Sequence, residues 1–273
     1  MPTRLEIPVF GPASAFPAIA AGAARIELNA EGSYPAGGLT PSIEDAAQLR
    51  DVKVPVRVMI RPRGPPAGPQ EGQRDFLYSE AEIDGMVRSI EVFKASGTMR
   101  VGRGDGFVFG ALATTEAEGN GRIVLQTGTV KRLVAAARPF KTVFHRAFDD
   151  IVGCDGANSS NDEAPEVVAE WENALASLVQ MGVHGILTSG GPGNAAQNSA
   201  ALSKIIAKAG QSIEIIPGGG VRSSNVRELC AQLDIGRQKV GKISWVHSSC
   251  LTGGKDDVDV AEVQKILGEI KQA

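Results

Sequence analysis

Residues Thr142–Asp150 (TVFHRAFDD) join an apolar run to side chains that are common in proton transfer and anion binding. His145 can act as a general acid or base near neutral pH. Arg146 can hold an anion through parallel N–H donors, and Asp149 can orient either neighbour. The segment is typical of a buried strand that delivers polar groups to one end. A cluster that merely caps the end of the strand is the alternative interpretation.

Charged and polar residues also lie in or directly after most of the other predicted strands. Glu6 and Glu27 fall inside the first two strands, where a buried carboxylate is costly unless it is paired. Arg61 and Arg63 end the third strand, and we expect them to pair with the two glutamates. Two interpretations remain open: a structural ion network, or a catalytic cluster made of Glu6, Glu27, Arg61, His145, Arg146 and Asp149.

Two glycine-rich segments, Thr188–Asn194 (TSGGPGN) and Pro217–Asn225 (PGGGVRSSN), follow later strands. Glycine allows backbone N–H groups to approach an oxyanion closely, and a helix that begins after the loop adds a favourable dipole. Tight turns between strands and helices also need glycine, so these loops do not require a ligand. We predict that a phosphate or carboxylate site draws on Arg63, Ser189, Gly218, Gly219, Gly220 and Ser248.

Ligands for a metal ion are scarce in this sequence. It has three histidines and three cysteines, with no Cys-x-x-Cys spacing, which argues against a disulfide framework and a structural zinc site. His184 begins a predicted strand and is expected to be structural. His247 and Cys250 lie close enough in sequence to form a soft metal site. A buried and unreactive Cys250 is the alternative.

The elements that must position these residues alternate regularly between strand and helix. Ser79 and Glu82, for example, form a capping-box pattern for a helix that runs to about Ala95. The predicted strands are Leu5–Phe10, Arg25–Asn29, Val54–Arg61, Gly106–Ala111, Lys141–His145, Val183–Ser189, Ser212–Pro217 and Lys242–His247.

The order of these elements favours one closed barrel. No antiparallel hairpin pattern separates the strands, and the segments Thr114–Gly121 and Gly153–Glu163 are expected to be loops. Eight parallel strands with intervening helices predict a single α/β domain over residues 1–273, a (β/α)₈ TIM barrel, rather than an open doubly wound sheet. The carboxyl ends of all its strands face one side, where ligands bind, so the candidate residues should converge there.

Composition excludes several classes of function. The net charge of −3 provides no electrostatic footprint for nucleic acid or an anionic membrane. No secretory signal or long apolar run is present, and the cysteine usage suits a reducing compartment, so we expect a cytosolic protein, with access to the nucleus left open. Because no dinucleotide, P-loop, nucleophile-elbow or Schiff-base pattern occurs, no organic cofactor is expected.

A series of short motifs along almost the whole chain resembles the CutC family. The combination of IRPRG at Ile60–Gly64 with FHRAFD at Phe144–Asp149 is highly specific. The other motifs are LEI at Leu5–Ile7, RIEL at Arg25–Leu28, GGLTPS at Gly37–Ser42, FLYS at Phe76–Ser79, VFGAL at Val108–Leu112, LTSGG at Leu187–Gly191, PGGGV at Pro217–Val221 and VHSS at Val246–Ser249.

The resemblance implies a TIM barrel that self-associates and has a role in copper homeostasis. Some members of the family bind Cu(I) through cysteines near the first two strands, one of them directly after the Glu-Leu of the second strand. Here Asn29 occupies that position, and Pro8 and Val9 continue the first strand. Copper is therefore a possible ligand by resemblance, but the thiolates that Cu(I) prefers are missing there.

Three functions remain open from the sequence, and with them the question of whether the protein is an enzyme. The first is CutC-like copper homeostasis with copper as the ligand. The second is an enzyme for a small anionic metabolite, in which the strand-end cluster performs acid/base chemistry. The third is a non-catalytic barrel that acts as an oligomeric scaffold, which would show a mouth without a cavity.

Overall fold

The computed structural model of the chain describes residues 3–66, 74–115, 121–156, 168–235, 245–253 and 256–273. Its strands are β1 (Arg4–Phe10), β2 (Arg25–Asn29), β3 (Val56–Met59), β4 (Gly106–Phe109), β5 (Leu112–Thr114), β6 (Ile123–Leu125), β7 (Lys141–Phe144), β8 (Gly185–Thr188), β9 (Glu214–Pro217) and β10 (Trp245–His247). Its helices are α1 (Ala15–Ala21), α2 (Ile43–Gln48), α3 (Glu80–Ala95), α4 (Thr127–Ala137), α5 (Ala147–Gly156), α6 (Glu170–Met181), α7 (Ser199–Ala209), α8 (Val226–Gln232) and α9 (Val260–Gln272).

Eight strands form one parallel sheet in the order β10-β1-β2-β3-β4-β7-β8-β9. The two end strands, β9 and β10, lie next to each other, so the sheet curves into a nearly closed barrel. Helices cover its outer face. The predicted (β/α)₈ TIM barrel is confirmed.

The side chains of each strand alternate between the helices and the barrel interior. In β2, Ile26 and Leu28 belong to the large apolar core between sheet and helices. Inside the barrel, a smaller apolar cluster consists of Met59, Val108, Val143, Leu187, Ile216 and Trp245. The interior also holds the buried charged residues of β1, β2, β3 and β10, which determine the site described below.

Helix α3 shows how the sequence sets these elements. The Ser79 hydroxyl accepts a hydrogen bond from the Glu82 N–H, and the Glu82 carboxylate accepts one from the Ser79 N–H. This capping box satisfies N–H groups that the first turn leaves free. The buried side chains, Ile83, Met86, Ile90 and Phe93, recur at helical spacing. The predicted start and end of this helix are confirmed.

Two predicted loops differ in the structure. β5 and β6 form an antiparallel pair, with Leu112 opposite Leu125, although no hairpin was expected. Both leucines are buried, so packing against the barrel stabilises the pair. Residues 116–120 of the predicted loop lie outside the described residues.

The second difference lies directly after β7. α5 begins at Ala147 and includes the first part of the segment that was expected to be a loop; residues 157–163 lie outside the described part of the chain. Buried Phe148 and Ile151, three residues apart, hold this helix against the core. Asp149 consequently lies in the first turn of a helix rather than in an irregular loop.

No helix within the described ranges has the length and apolar character needed to cross a bilayer.

Candidate functional site

A cavity of about 590 Å³ opens at the carboxyl ends of the barrel strands. The predicted residues in its wall are Glu27, Arg61, His145, Arg146, Asp149, Gly219, Gly220, His247 and Ser248. The convergence expected from the barrel geometry therefore occurs. Glu6, Arg63, Ser189, Gly218 and Cys250 lie elsewhere, and their contacts explain why.

Glu6 lies below the cavity, in a fully paired position. Arg25 donates from Nε to one Glu6 oxygen, and His247 donates from Nδ1 to the other at 2.8 Å. Arg25 also reaches Glu214 at 3.2 Å, and its guanidinium lies 3.8 Å above the ring of Trp245. Burial alone would raise the pKa of Glu6, but Arg25 and His247 hold it down to about 2. Burial would lower the pKa of His247, but the Glu6 hydrogen bond raises it.

Arg57 belongs to the same buried layer. It donates to the carbonyl oxygen of Gly104, and burial together with the charge of Arg25 lowers its pKa to about 10. Sequence reasoning missed both Arg25 and Arg57. The register of β1 and β2 places Arg25 directly beside Glu6, and the sequence gives no direct signal for that register.

The expected pairing of Arg61 and Arg63 with Glu6 and Glu27 is wrong. Arg61 donates from Nη2 to both carboxylate oxygens of Asp75, at 3.1 and 2.8 Å, and from Nη1 to the carbonyls of Ala36 and Gly38.

Arg63 donates to Glu82 at 2.7 Å and to the carbonyl of Leu77 at 2.6 Å. β3 ends at Met59, two residues earlier than predicted. Both arginines therefore lie beyond the level of the glutamates and tie the following loop to its neighbours.

Glu27 is buried in the cavity wall and forms no ion pair with any of the described residues. Its Oε1 lies 3.4 Å from Asn29 Nδ2, and its Oε2 has no hydrogen-bond partner among the described residues. Burial raises the pKa of this carboxyl group, and the negative charge of Glu6 adds to the effect. Asn29 Oδ1 also lacks a partner within the described part of the chain. These are acceptor atoms that water or a ligand must satisfy.

His145 is a neutral donor at the same cavity. Its Nδ1 accepts a hydrogen bond from the Ala147 N–H at 3.1 Å, so we assign the ring proton to Nε2. Burial lowers the pKa of His145 to about 3, and the charge of Arg61 contributes. Nε2 has no partner among the described residues. A Cβ at Gly110 would lie 2.5 Å from the His145 Cε1, so glycine there leaves space for the ring.

Arg146 is fixed from below by Asp149. Its Nε donates to Asp149 at 2.8 Å, and its Nη2 donates to the Ser189 hydroxyl at 3.0 Å. Asp149 also accepts hydrogen bonds from the Thr188 hydroxyl, the Ser189 hydroxyl and the Ser189 N–H. Asp149 and Ser189 are therefore placed to position Arg146, whose side chain remains 43% exposed.

The loop after β9 lies beside Arg146. A Cβ at Gly219 would lie 3.1 Å from the Arg146 Cζ, so a larger residue would crowd the guanidinium. The Gly218 N–H already donates to the Thr188 carbonyl at 3.0 Å and is not free for an anion. Gly219 and Gly220 remain in the wall, together with Arg222.

Arg222 and Ser248 complete this side of the cavity. The Ser248 hydroxyl donates to the Val221 carbonyl at 2.6 Å and lies 3.4 Å from Arg222 Nη1. Arg222 was not among the predicted site residues. An arginine directly after the glycines of PGGGVR was the signal that could have identified it.

The geometry gives little support to the metal pair His247 and Cys250. The Cys250 thiol is buried and donates to the Ser248 carbonyl at 3.6 Å, and burial raises its pKa to about 11. His247 uses Nδ1 for Glu6. Although Glu6, Glu27 and His247 approach one another within 4.8 Å, Arg25 and His247 already occupy both oxygens of Glu6. These oxygen and nitrogen atoms suit soft Cu(I) poorly.

The chain is a (β/α)₈ barrel with a polar cavity at its mouth. A model of the CutC family matches residues 3–243. A relative from Sinorhizobium medicae, named family protein CutC, is 34% identical over 248 residues, which cover 91% of this chain and 81% of the relative. One from Glaesserella parasuis is 32% identical over 257 residues, covering 90% and 89%. The chain belongs to the CutC family, as its motifs predict.

A solved structure agrees on the fold. The crystal structure of a CutC protein from Streptococcus agalactiae, named for copper homeostasis, matches with a TM-score of 0.66 and 22% sequence identity. The match covers 91% of this chain and 99% of that one. At this level of identity the likeness supports the barrel and does not extend to a ligand.

Proposed function

We propose that this protein is an enzyme that binds a small anionic metabolite at the barrel mouth and acts on it by acid/base chemistry. The observation that carries the proposal is the carboxylate of Glu27, which is buried in the cavity wall with one oxygen unpartnered among the described residues. An unpaired buried carboxylate costs stability, and proteins retain such groups mostly where a ligand supplies the missing partner.

Each group in the wall has a distinct role in this proposal. Arg146 and Arg222 lie near Gly219 and Gly220, and they would hold the anionic end of the ligand. Glu27 is the base, because burial raises its pKa and makes its carboxylate a better proton acceptor. His145 donates from Nε2 to an oxygen on which charge develops.

The roles of two other predicted residues change. Asp149 positions Arg146 rather than taking a proton, because its carboxylate already accepts several hydrogen bonds. Arg61 fixes the loop at Asp75 rather than holding an anion. A barrel that served only as a scaffold would need no cavity of this polarity.

Calorimetric titration of the full chain with inorganic phosphate and with acetate tests the anion site. We expect binding that weakens as salt increases, and an affinity that falls about tenfold in Arg146→Met and in Arg222→Met. Arg132→Met is the matched control, since the Arg132 side chain is 45% exposed and lies on α4, away from the cavity. Absence of binding, or equal binding in all three variants, would refute the proposal.

Copper binding is a second candidate function, favoured by membership in a family with members named for copper homeostasis. Cu(I) would require Cys250 to lose its proton against a raised pKa and to leave the Ser248 carbonyl. Competition for Cu(I) with a coloured chelator tests this, using Cys250→Ser and His247→Gln. Affinity no greater than that of a variant without cysteines would rule it out.

Self-association and a cytosolic location stay predictions. Sedimentation would test the first and cell fractionation the second.

A further inference from the structure

We infer that the ligand is a short, hydroxylated carbonyl compound that ends in a phosphate or carboxylate, as a sugar phosphate or a sugar acid does. The inference rests on the proposed function and adds which polar groups the ligand carries besides its anionic end. It follows from matching the unpartnered polar atoms of Glu27, Asn29 and His145 in the cavity wall with the groups that would satisfy them.

The β2 side of the cavity requires hydrogen-bond donors from the ligand. Glu27 Oε2 and Asn29 Oδ1 are acceptors, and both side chains are at least 96% buried. The orientation of the Asn29 amide is fixed, because its Nδ2 faces the carbonyls of Val9 and Glu27 and the Glu27 carboxylate. The two side chains meet through Asn29 Nδ2 and Glu27 Oε1, and a Cβ at Gly38 would lie 2.2 Å from Asn29 Oδ1, so Glu27 Oε2 is the first acceptor that a hydroxyl group of the ligand would meet.

The β7 side requires an acceptor from the ligand. His145 offers an uncharged Nε2–H, buried and unpartnered among the described residues. A neutral N–H group suits a carbonyl oxygen, whereas a phosphate gains more from the arginines. The Phe76 ring packs against the imidazole at an interplanar angle of 50°, with the ring centroids 4.7 Å apart, and together with the Ala147 hydrogen bond it holds the imidazole in place.

The charge of the cavity wall is divided in the same way. Exposed Arg146 and half-buried Arg222 lie on the side of the loops after β7 and β9, and the carboxylate of Glu27 lies on β2. A ligand with its anion at Glu27 would meet repulsion, so the anion belongs at the arginines and the hydroxyl groups at Glu27. A volume of about 590 Å³ exceeds that of a bare phosphate ion and falls within the usual range for metabolite sites.

Titration with matched three-carbon probes tests the inference. The phosphate series is propyl phosphate, glycerol 3-phosphate and dihydroxyacetone phosphate; its first step adds two hydroxyl groups, and its second step replaces the hydroxyl group on the central carbon with a carbonyl group. The carboxylate series is propanoate, glycerate and hydroxypyruvate. In the series whose anion the site accepts, we expect each step to increase affinity by about tenfold. The tighter series identifies phosphate or carboxylate as the natural end group.

Two variants assign these gains to residues. Glu27→Leu should remove the gain from the hydroxyl groups while the binding of propyl phosphate persists. His145→Asn retains an acceptor for the Ala147 N–H but has no Nε2–H, so it should remove the gain from the carbonyl group. Circular dichroism shows whether each variant folds, and Glu27→Met, which also lacks the carboxylate acceptor, replaces Glu27→Leu if the latter does not fold.

The possible failures are distinguishable. If propyl phosphate binds as tightly as dihydroxyacetone phosphate, and propanoate as tightly as hydroxypyruvate, the inference is wrong and the anion site stands. Gains that persist in both variants would also overturn it. If no anion binds in either series, the proposed function fails as well.

Discussion

The barrel interior contains two polar layers that differ in whether their buried carboxylate is paired. In the lower layer, Glu6 is bound by Arg25 and His247, and Arg25 also reaches Glu214. In that layer the atoms without partners among the described residues are Nη2 of Arg25 and Nε of Arg57, on guanidinium groups that are otherwise bound. One pleat nearer to the mouth they are a carboxylate oxygen of Glu27 and Nε2 of His145. The comparison distinguishes two arrangements of buried carboxylates: in the paired layer cations join neighbouring strands, and in the unpaired layer a carboxylate oxygen is left for the proposed ligand.

The largest effect should come from breaking the paired layer. Arg25→Met leaves Glu6 with His247 alone and Glu214 without its arginine, so we expect the free energy of unfolding to fall by about 3–5 kcal/mol. Urea unfolding followed by circular dichroism measures it. Arg132→Met, which removes exposed ion pairs, should cost below about 1 kcal/mol. A loss in Arg25→Met as small as in this control would show that the lower layer contributes little to stability.

The second effect concerns pH and the unpaired layer. The pKa of His145 is lowered to about 3 in the folded protein, while the unfolded chain takes up the proton near its ordinary value. The stability that a neutral His145 contributes is therefore complete above about pH 6.5 and is lost as the pH falls toward 3. Between pH 7 and pH 4.5 we expect a loss of about 2–3 kcal/mol from this group.

His145→Asn isolates that contribution, because the variant keeps the acceptor for the Ala147 N–H and does not titrate. The difference in unfolding free energy between wild type and variant should shrink by this amount from pH 7 to pH 4.5. The carboxyl groups titrate in both proteins, so their contributions largely cancel in the difference between wild type and variant. A difference that stays constant with pH would mean that His145 already has a hydrogen-bond partner for a protonated ring.

The contribution of Glu27 to the free energy of unfolding should depend on pH in the opposite direction to that of His145, and by a smaller amount. Its pKa is raised in the folded state by burial. Its contribution is most favourable below the unfolded value and is lost as the pH rises through the folded one. Glu27→Gln should therefore equal wild type near pH 4 and exceed it by about 1 kcal/mol near pH 8. A stability loss at pH 8 would indicate an unrecognised partner for the carboxylate and would place Glu27 with the paired layer.

The barrel and the convergence of Glu27, His145, Arg146 and His247 could be predicted from the sequence. Alternation of strands and helices implies parallel strands, and parallel strands bring their carboxyl ends to one face whatever the details of packing. These four residues could therefore be placed at one face without knowledge of a single contact, whereas Arg63 and Ser189, which also follow strands, lie outside the cavity wall.

The partners of the charged residues could not be predicted in the same way. Which cation meets Glu6 depends on the register between β1 and β2, and a shift by one residue would turn Arg25 away from the interior. The partner of Arg61 is Asp75, which lies fourteen positions later in the sequence and returns to the end of the strand. Such contacts between residues distant in sequence leave no local pattern.

The smallest effect should come from the outer rim, where Arg63 pairs with Glu82. Both side chains are nearly one-third exposed, at 30% and 28%, so water and salt weaken their attraction. Arg63→Ala should lower the free energy of unfolding by less than about 1 kcal/mol, and the loss should decline further in 1 M NaCl. The capping box survives in this variant, because Ser79 donates to the other Glu82 oxygen. Urea unfolding at low and high salt measures the change. A loss of several kcal/mol that does not change with salt would contradict the idea that burial decides how much an ion pair of this protein contributes to stability. The hydrogen bond from Arg63 to the Leu77 carbonyl would then account for the loss.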